Sequence, residues 1–276
     1  MRKGVSTLCC ARQRLHPGVL DQLASGGAEE IEIFGSRGHF DFYDRQHVRE
    51  IAAWFEEQGK QLHSVHAPMY FDKEIERAGQ TPVNVVAFEK KQRIEAMDEL
   101  KRLLEVAEHL PFRYLVQHLG DRNESFSPRK FDDAMTAVEH LRAFAKPLGV
   151  TILLENLPNE IASPENLVKL IDTAHFRDVG VCFDSGHAHM CGGVQPAFEM
   201  LAPYVRSTHI HDNDSTKDAH LWPGDGTIDW NRMRELLASA PAAPPYLLEL
   251  EQDVLGERSR LRSAFDELSR FGALKA

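Results

Sequence analysis

Eight short apolar runs recur along this chain, and longer stretches with helical periodicity separate them. The runs are GVSTL near residue 4, EIEIF at 30–34, LHSVHA at 62–67, RYLVQH at 113–118, VTILLE at 150–155, VGVCFD at 179–184, VRSTHI at 205–210 and YLLELE at 246–251. Between them, residues 44–58 place Val48, Ile51, Ala52 and Phe55 on one helical face, and 89–110 is rich in good helix formers. Ser163 followed by Pro164 predicts an N-cap with proline at the first helical position, for a helix ending near Thr173. Strands alternating with helices pair in parallel through right-handed crossovers. Eight such units predict a closed (β/α)8 barrel rather than an open sheet, and 1–276 suits a single domain of that kind.

In such a barrel, functional side chains stand at the carboxyl ends of the strands. Nine His, Asp and Glu residues fall at or just beyond those ends: His66, His118, Glu155, Asp184, His187, His209, Asp218, His220 and Glu249. Glu155 follows Ile152, Leu153 and Leu154, and Glu249 follows Leu247 and Leu248. A carboxylate closing a buried strand is costly unless it is paired or bound to a metal, so both are expected to be functional. Asn156, beside Glu155, could hydrogen-bond a ligand or the carboxylate. Asp184 and His187 sit three apart around Gly186, which permits a turn presenting both to one cavity; the alternative is a capping aspartate with His187 at the surface. For His66 and His118 the alternative is a satisfied core histidine. His211 shares a strand face with His209 and, with Asp212, Asn213 and Asp214, is expected to be a supporting or loop residue. His63 lies on its strand rather than at the end, and His16, His39, His47, His109 and His140 are expected at the surface. The polar stretch 69–82 is a candidate loop over the site.

Other chemistries lack their motifs. There is no GxSxG elbow, no P-loop and no GxGxxG after a strand. Cys182 lies inside an apolar strand, where a thiol packs inertly. The four cysteines have neither zinc-ribbon spacing nor the density of a disulfide scaffold, so the cytoplasm is the expected compartment. The apolar start is broken by Gly4, Ser6 and Thr7 and predicts a first strand rather than a signal segment. No run of about 18 apolar residues is present to span a membrane. A net charge of −10 argues against a dedicated nucleic-acid binder, without excluding one that carries metal ions in its cleft.

Together SVHAP, LLEN, CFDSGH, HIHDND and HLWPGDGTIDW resemble the xylose isomerase-like TIM-barrel superfamily, over nearly the whole chain. That superfamily holds sugar isomerases and epimerases, inosose dehydratase and the abasic-site nuclease endonuclease IV. The resemblance implies a single divalent ion on Glu155, Asp184, His209 and Glu249, with Glu155 and Glu249 exchanging the substrate proton. His187, His66 and Asn156 would then touch substrate. A divalent ion chelating a carbonyl and its neighbouring hydroxyl acidifies the C–H between them, giving an enediolate.

The expected activity is therefore isomerisation or epimerisation of a small sugar, polyol or keto compound, with Mn²⁺, Mg²⁺ or Co²⁺. The alternatives are a dehydratase or lyase on the same site, or an endonuclease IV-like phosphodiesterase. The nuclease resemblance adds His66, His118, His187, Asp218 and His220 as further ligands of a three-Zn²⁺ centre. Two departures argue against a ketohexose 3-epimerase. Ile161 stands where those enzymes carry an additional Glu, and no Arg lies between His209 and Trp230. Arg37 or Lys217 could meet a substrate phosphate. The resemblance also implies homo-oligomers as a common state.

Overall fold

The computed structural model describes residues 2–71, 80–252 and 254–269, so part of the 69–82 loop lies outside the described residues. Each of the eight apolar runs forms a strand: β1 Lys3–Ser6, β2 Glu30–Phe34, β3 Leu62–His66, β4 Phe112–Gln117, β5 Thr151–Glu155, β6 Gly180–Asp184, β7 Val205–His209 and β8 Tyr246–Leu248. All the strand pairs are parallel, in the order β7-β6-β5-β4-β3-β2-β1-β8. The seam between β7 and β8 closes at a parallel bridge from Ile210 to Leu248. There the Ile210 amide donates to the Leu247 carbonyl at 2.8 Å, and the Thr208 hydroxyl donates to the Pro245 carbonyl at 2.7 Å. The result is a (β/α)8 barrel.

The helices are α1 Pro17–Ser25, α2 Arg45–Glu57, α3 Lys90–Leu104, α4 Pro128–Ala145, α5 Pro164–Thr173, α6 Ser185–Met190, α7 Val194–Leu201, α8 Trp230–Ser239 and α9 Arg258–Ser269. Their starts follow local chemistry. Asp44 accepts from the Gln46 and His47 amides at the head of α2, and Ser163 accepts from the Asn166 amide at the head of α5. The stretch 89–110 is shorter as an α-helix than expected: α3 ends at Leu104 and tightens into a 3₁₀ turn, Glu105–Glu108.

Most of the core lies between the barrel wall and the helices, with a small cluster of Val116, Leu153 and Cys182 inside the barrel. Burial pushes the Cys182 thiol far up, as its inert role requires. All four cysteines are free, and no helix among the described residues is long and apolar enough to cross a membrane.

Two histidines depart from expectation. His39 and His47 are buried, not at the surface. The ring of His39 donates through Nδ1 to the Gln13 carbonyl at 2.6 Å, and His47 donates through Nε2 to the Leu15 carbonyl at 2.8 Å. Both rings thereby satisfy carbonyls of the segment that leads from β1 into α1. His16, His109 and His140 are exposed as expected.

Candidate metal centre

All nine strand-end residues converge at one mouth of the barrel. His66, Glu155, Asp184 and His209 are the last residues of β3, β5, β6 and β7, while His118 and Glu249 directly follow β4 and β8. His187 sits in α6, where Asp184 caps the helix by accepting from the His187 amide at 2.7 Å. Asp184 thus caps and His187 is nevertheless buried, which combines the two alternatives read from FDSGH. Asp218 and His220 arrive on the loop between β7 and α8.

Their donor atoms form three groups: His66, His118 and Glu155; Glu155, Asp184, His209 and Glu249; and His187, Asp218 and His220 joined by His211. In the first, His66 Nε2 and His118 Nε2 are 3.2 Å apart, with Glu155 Oε2 at 3.5 and 3.1 Å. In the second, His209 Nδ1 lies 3.2 Å from Glu155 Oε2, 3.3 Å from Glu249 Oε2 and 3.9 Å from Asp184 Oδ2. In the third, Asp218 Oδ2 is 3.0 Å from His187 Nε2 and 3.4 Å from His220 Nε2. Atoms bound tetrahedrally at about 2.0–2.1 Å from an ion stand about 3.3 Å from one another, close to most of these spacings.

Ring tautomers supply a second test of fit. His66 Nδ1–H donates to the Ala67 carbonyl at 2.7 Å, His187 Nδ1–H to the Asn156 carbonyl at 3.0 Å, and His220 Nδ1–H to the Glu249 carbonyl at 3.1 Å. Each neutral ring therefore turns its Nε2 lone pair toward its group. His209 is set the other way: Nε2–H donates to Glu32 Oε1 at 3.0 Å, leaving Nδ1 buried without a hydrogen-bond partner among three carboxylates. Lone pairs and carboxylates aimed at one point repel unless a cation or a proton joins them, and backbone- or carboxylate-held histidines are the usual second shell of metal ligands. With protons alone, burial disfavours the charged rings, yet the surrounding carboxylates hold His187 and His209 well above the ordinary histidine value. The residues fit divalent ions.

Supporting residues complete the site. Glu32, fully buried on β2, also accepts from the Ser64 hydroxyl at 2.7 Å; burial opposes its charge, but the neighbouring His209 draws its pKa down to about 2. Asn156 exchanges hydrogen bonds with the Asp184 backbone, both at 2.9 Å, so its amide braces the end of β6. His211 Nε2–H donates to Asp184 Oδ2 at 3.0 Å while its ring stacks on His220 at 4.0 Å. Gly186 makes room for that ring, since an added Cβ would collide with it. A cavity of about 340 Å³ opens onto His118, His187 and Asp218, whereas Asp184, His209 and Glu249 lie behind it. Of the residues considered as phosphate contacts, Arg37 instead donates to the Phe71 carbonyl at 3.3 Å and stacks on Tyr43.

Fold and site together define a barrel that carries groups of His, Asp and Glu side chains able to hold metal at the carboxyl ends of its strands. The chain belongs to the xylose isomerase-like TIM-barrel family, whose model matches residues 20–270. It is similar to "Uncharacterized protein y4fM" of Sinorhizobium fredii (30% identity over 237 residues, 79% of this chain and 75% of the relative). It also matches "Probable endonuclease 4" of Natronomonas pharaonis (29% over 178 residues, 57% of this chain and 63% of that protein). Among solved structures, a D-tagatose 3-epimerase-like protein superposes with a TM-score of 0.79 at 21% identity, covering 99% of this chain and 100% of that one. That likeness shows the fold.

Proposed function

We propose that this protein is a divalent-metal-dependent enzyme that hydrolyses phosphoesters. The observation that carries the proposal is the sharing of Glu155 between two ligand groups while a third group completes itself from α6 and the β7–α8 loop. His66, His118 and Glu155 would hold one ion, Glu155, Asp184, His209 and Glu249 a second, and His187, Asp218 and His220 a third. Such ions would supply Lewis acidity, lowering the pKa of water and neutralising charge on the phosphoryl group. The nitrogen-rich donor set favours Zn²⁺. The chain's own part is positioning. Backbone carbonyls and Glu32 fix the ring tautomers, the barrel wall excludes water from the four-ligand group, and the cavity admits substrate from the His118, His187 and Asp218 side. Hydrolysis forms one P–O bond from water and breaks the P–O bond to the leaving alcohol, which takes up a proton. Four free thiols suit the cytoplasm.

A second reading is metal-dependent isomerisation or epimerisation of a small sugar-like compound through an enediolate, with Mn²⁺, Mg²⁺ or Co²⁺. It is favoured by the pair Glu155 and Glu249, two buried carboxylates within 3.3 Å of one His209 nitrogen. Proton exchange would fall to these two. It ranks second because Glu155 is enclosed: Oε2 faces His66, His118 and His209, and Oε1 lies 3.2 Å from His187 Nδ1. No edge of that carboxylate is left to take a substrate proton.

Elemental analysis of protein purified without chelators or a histidine tag tests the ranking. About three Zn²⁺ per chain, with chelator-sensitive phosphoester hydrolysis, is the expected result. One Mn²⁺ or Co²⁺ per chain, with exchange of substrate hydrogen for solvent deuterium, would reverse the order.

A further inference from the structure

Resting on the hydrolytic function proposed above, we infer that the cavity takes a small phosphodiester, one phosphate between two low-molecular-weight organic groups, and not a nucleic-acid strand. Size is the first ground. About 340 Å³ lies at the low end for ligand pockets, so it suits one phosphate with compact substituents.

The second ground is the apolar part of the lining. Met69, Tyr70 and Leu157 face the cavity. Met69 and Tyr70 keep 37% and 39% of their surface exposed. They are held there: the Phe71 amide donates to the Thr81 carbonyl at 3.0 Å and the Val83 amide to the Met69 carbonyl at 2.9 Å, pinning the neck of that loop. A lining that joins these apolar side chains to His118, His187 and Asp218 matches a molecule that carries both an organic group and an anion.

The third ground is charge. Among the described residues lining the cavity, Arg122 is the only Lys or Arg, beside the acidic Asp121, Asp218 and Glu251. A nucleic-acid strand is held by a series of Lys or Arg contacts along successive phosphates, and among the described lining residues only Arg122 could supply one.

The test uses the metal-loaded protein as purified, with bis(p-nitrophenyl) phosphate, p-nitrophenyl phosphate and an abasic-site oligonucleotide as substrates. The expected order of kcat/KM puts the diester first. Tyr70→Ala and Arg122→Ala should each raise KM for the diester several-fold with little change in kcat. They should weaken calorimetric binding of diphenyl phosphate by a similar factor. Preference for the oligonucleotide or the monoester overturns the inference, as does unchanged KM and binding in both variants. Binding of diphenyl phosphate without turnover of any substrate would support the ligand class while overturning the hydrolytic function, and absence of binding would overturn the ligand class itself.

Discussion

Glu32 and His39 are both fully buried ionisable residues, and each makes a prediction that its burial dictates. Glu32 holds the His209 ring so that Nδ1 meets Glu155 and Glu249. Glu32→Gln keeps the shape but replaces one carboxylate oxygen with an amide, so the ring is free to flip. Removing such a partner costs about 10–100-fold in metal affinity. Chelator competition should read that loss while circular dichroism stays unchanged; wild-type affinity would remove Glu32 from the site. His39 titrates in the acid range. Burial lowers its pKa from 6.5 to about 4, so the folded protein keeps the ring neutral where the unfolded chain accepts a proton. Its contribution is complete above the unfolded value and declines as pH falls toward about 4, by up to roughly 3 kcal/mol. His47, also lowered by burial, acts in the same direction. His39→Asn retains a donor for the Gln13 carbonyl and should flatten the slope in urea denaturation series across that range. An unchanged slope would mean that other groups set the acid limit.

Among the elements, the loop from β7 to α8 depends most on one residue. Asp212 accepts from the Asn213 and Ile228 amides at 2.9 and 3.1 Å, from the Gly224 amide at 2.9 Å and from Trp230 Nε1 at 2.7 Å. These bonds tie both ends of the segment carrying Asp218 and His220, which holds His220 at φ 40 and Ser215 at φ 68. Asp212→Ala should cost roughly 3 kcal/mol or more, because buried charge-assisted bonds are lost and amide donors are orphaned. Metal content should fall by one ion, with the other two retained. Loss of all the ions together, or of none, would show that the loop does not act as a separate unit. The strands and the converging His, Asp and Glu residues at their ends were legible because parallel buried strands are continuous apolar runs and the barrel gathers the residues where each run stops. Glu32 was not. In EIEIF the alternation of Glu and Ile reads as one face in solvent, and only closure of the sheet turns that face inward. Asp212 and His211 were hidden among polar loop neighbours, and nothing local marks His39 or His47, whose partners lie 26 and 32 residues away.

At the scale of the molecule, the cluster should couple metal content to stability, with a pH dependence whose sign differs between the loaded and the stripped protein. Glu32, Glu155, Asp184 and Glu249 are four buried carboxylates at one mouth, and something positive must balance them. In stripped protein the balance falls to protonated histidines, and His187 and His209 are raised well above 6.5. A raised folded pKa gives stability that is present below the unfolded value and is lost as pH rises through the folded one. Stripped protein should therefore weaken steadily from neutral toward alkaline pH. Ions in the site replace those protons, so the loaded protein should hold its stability as pH rises and lose ions as pH falls and protons compete for the same nitrogens. The gap between the two forms should widen with pH, reaching about 2.7 kcal/mol for each ion bound where free metal exceeds that site's dissociation constant a hundredfold. Thermal melts of chelator-treated and reloaded protein between about pH 6 and pH 9 measure it directly. Parallel curves would mean that the carboxylates are balanced by some other means and that the three ligand groups do not bind ions in the folded protein.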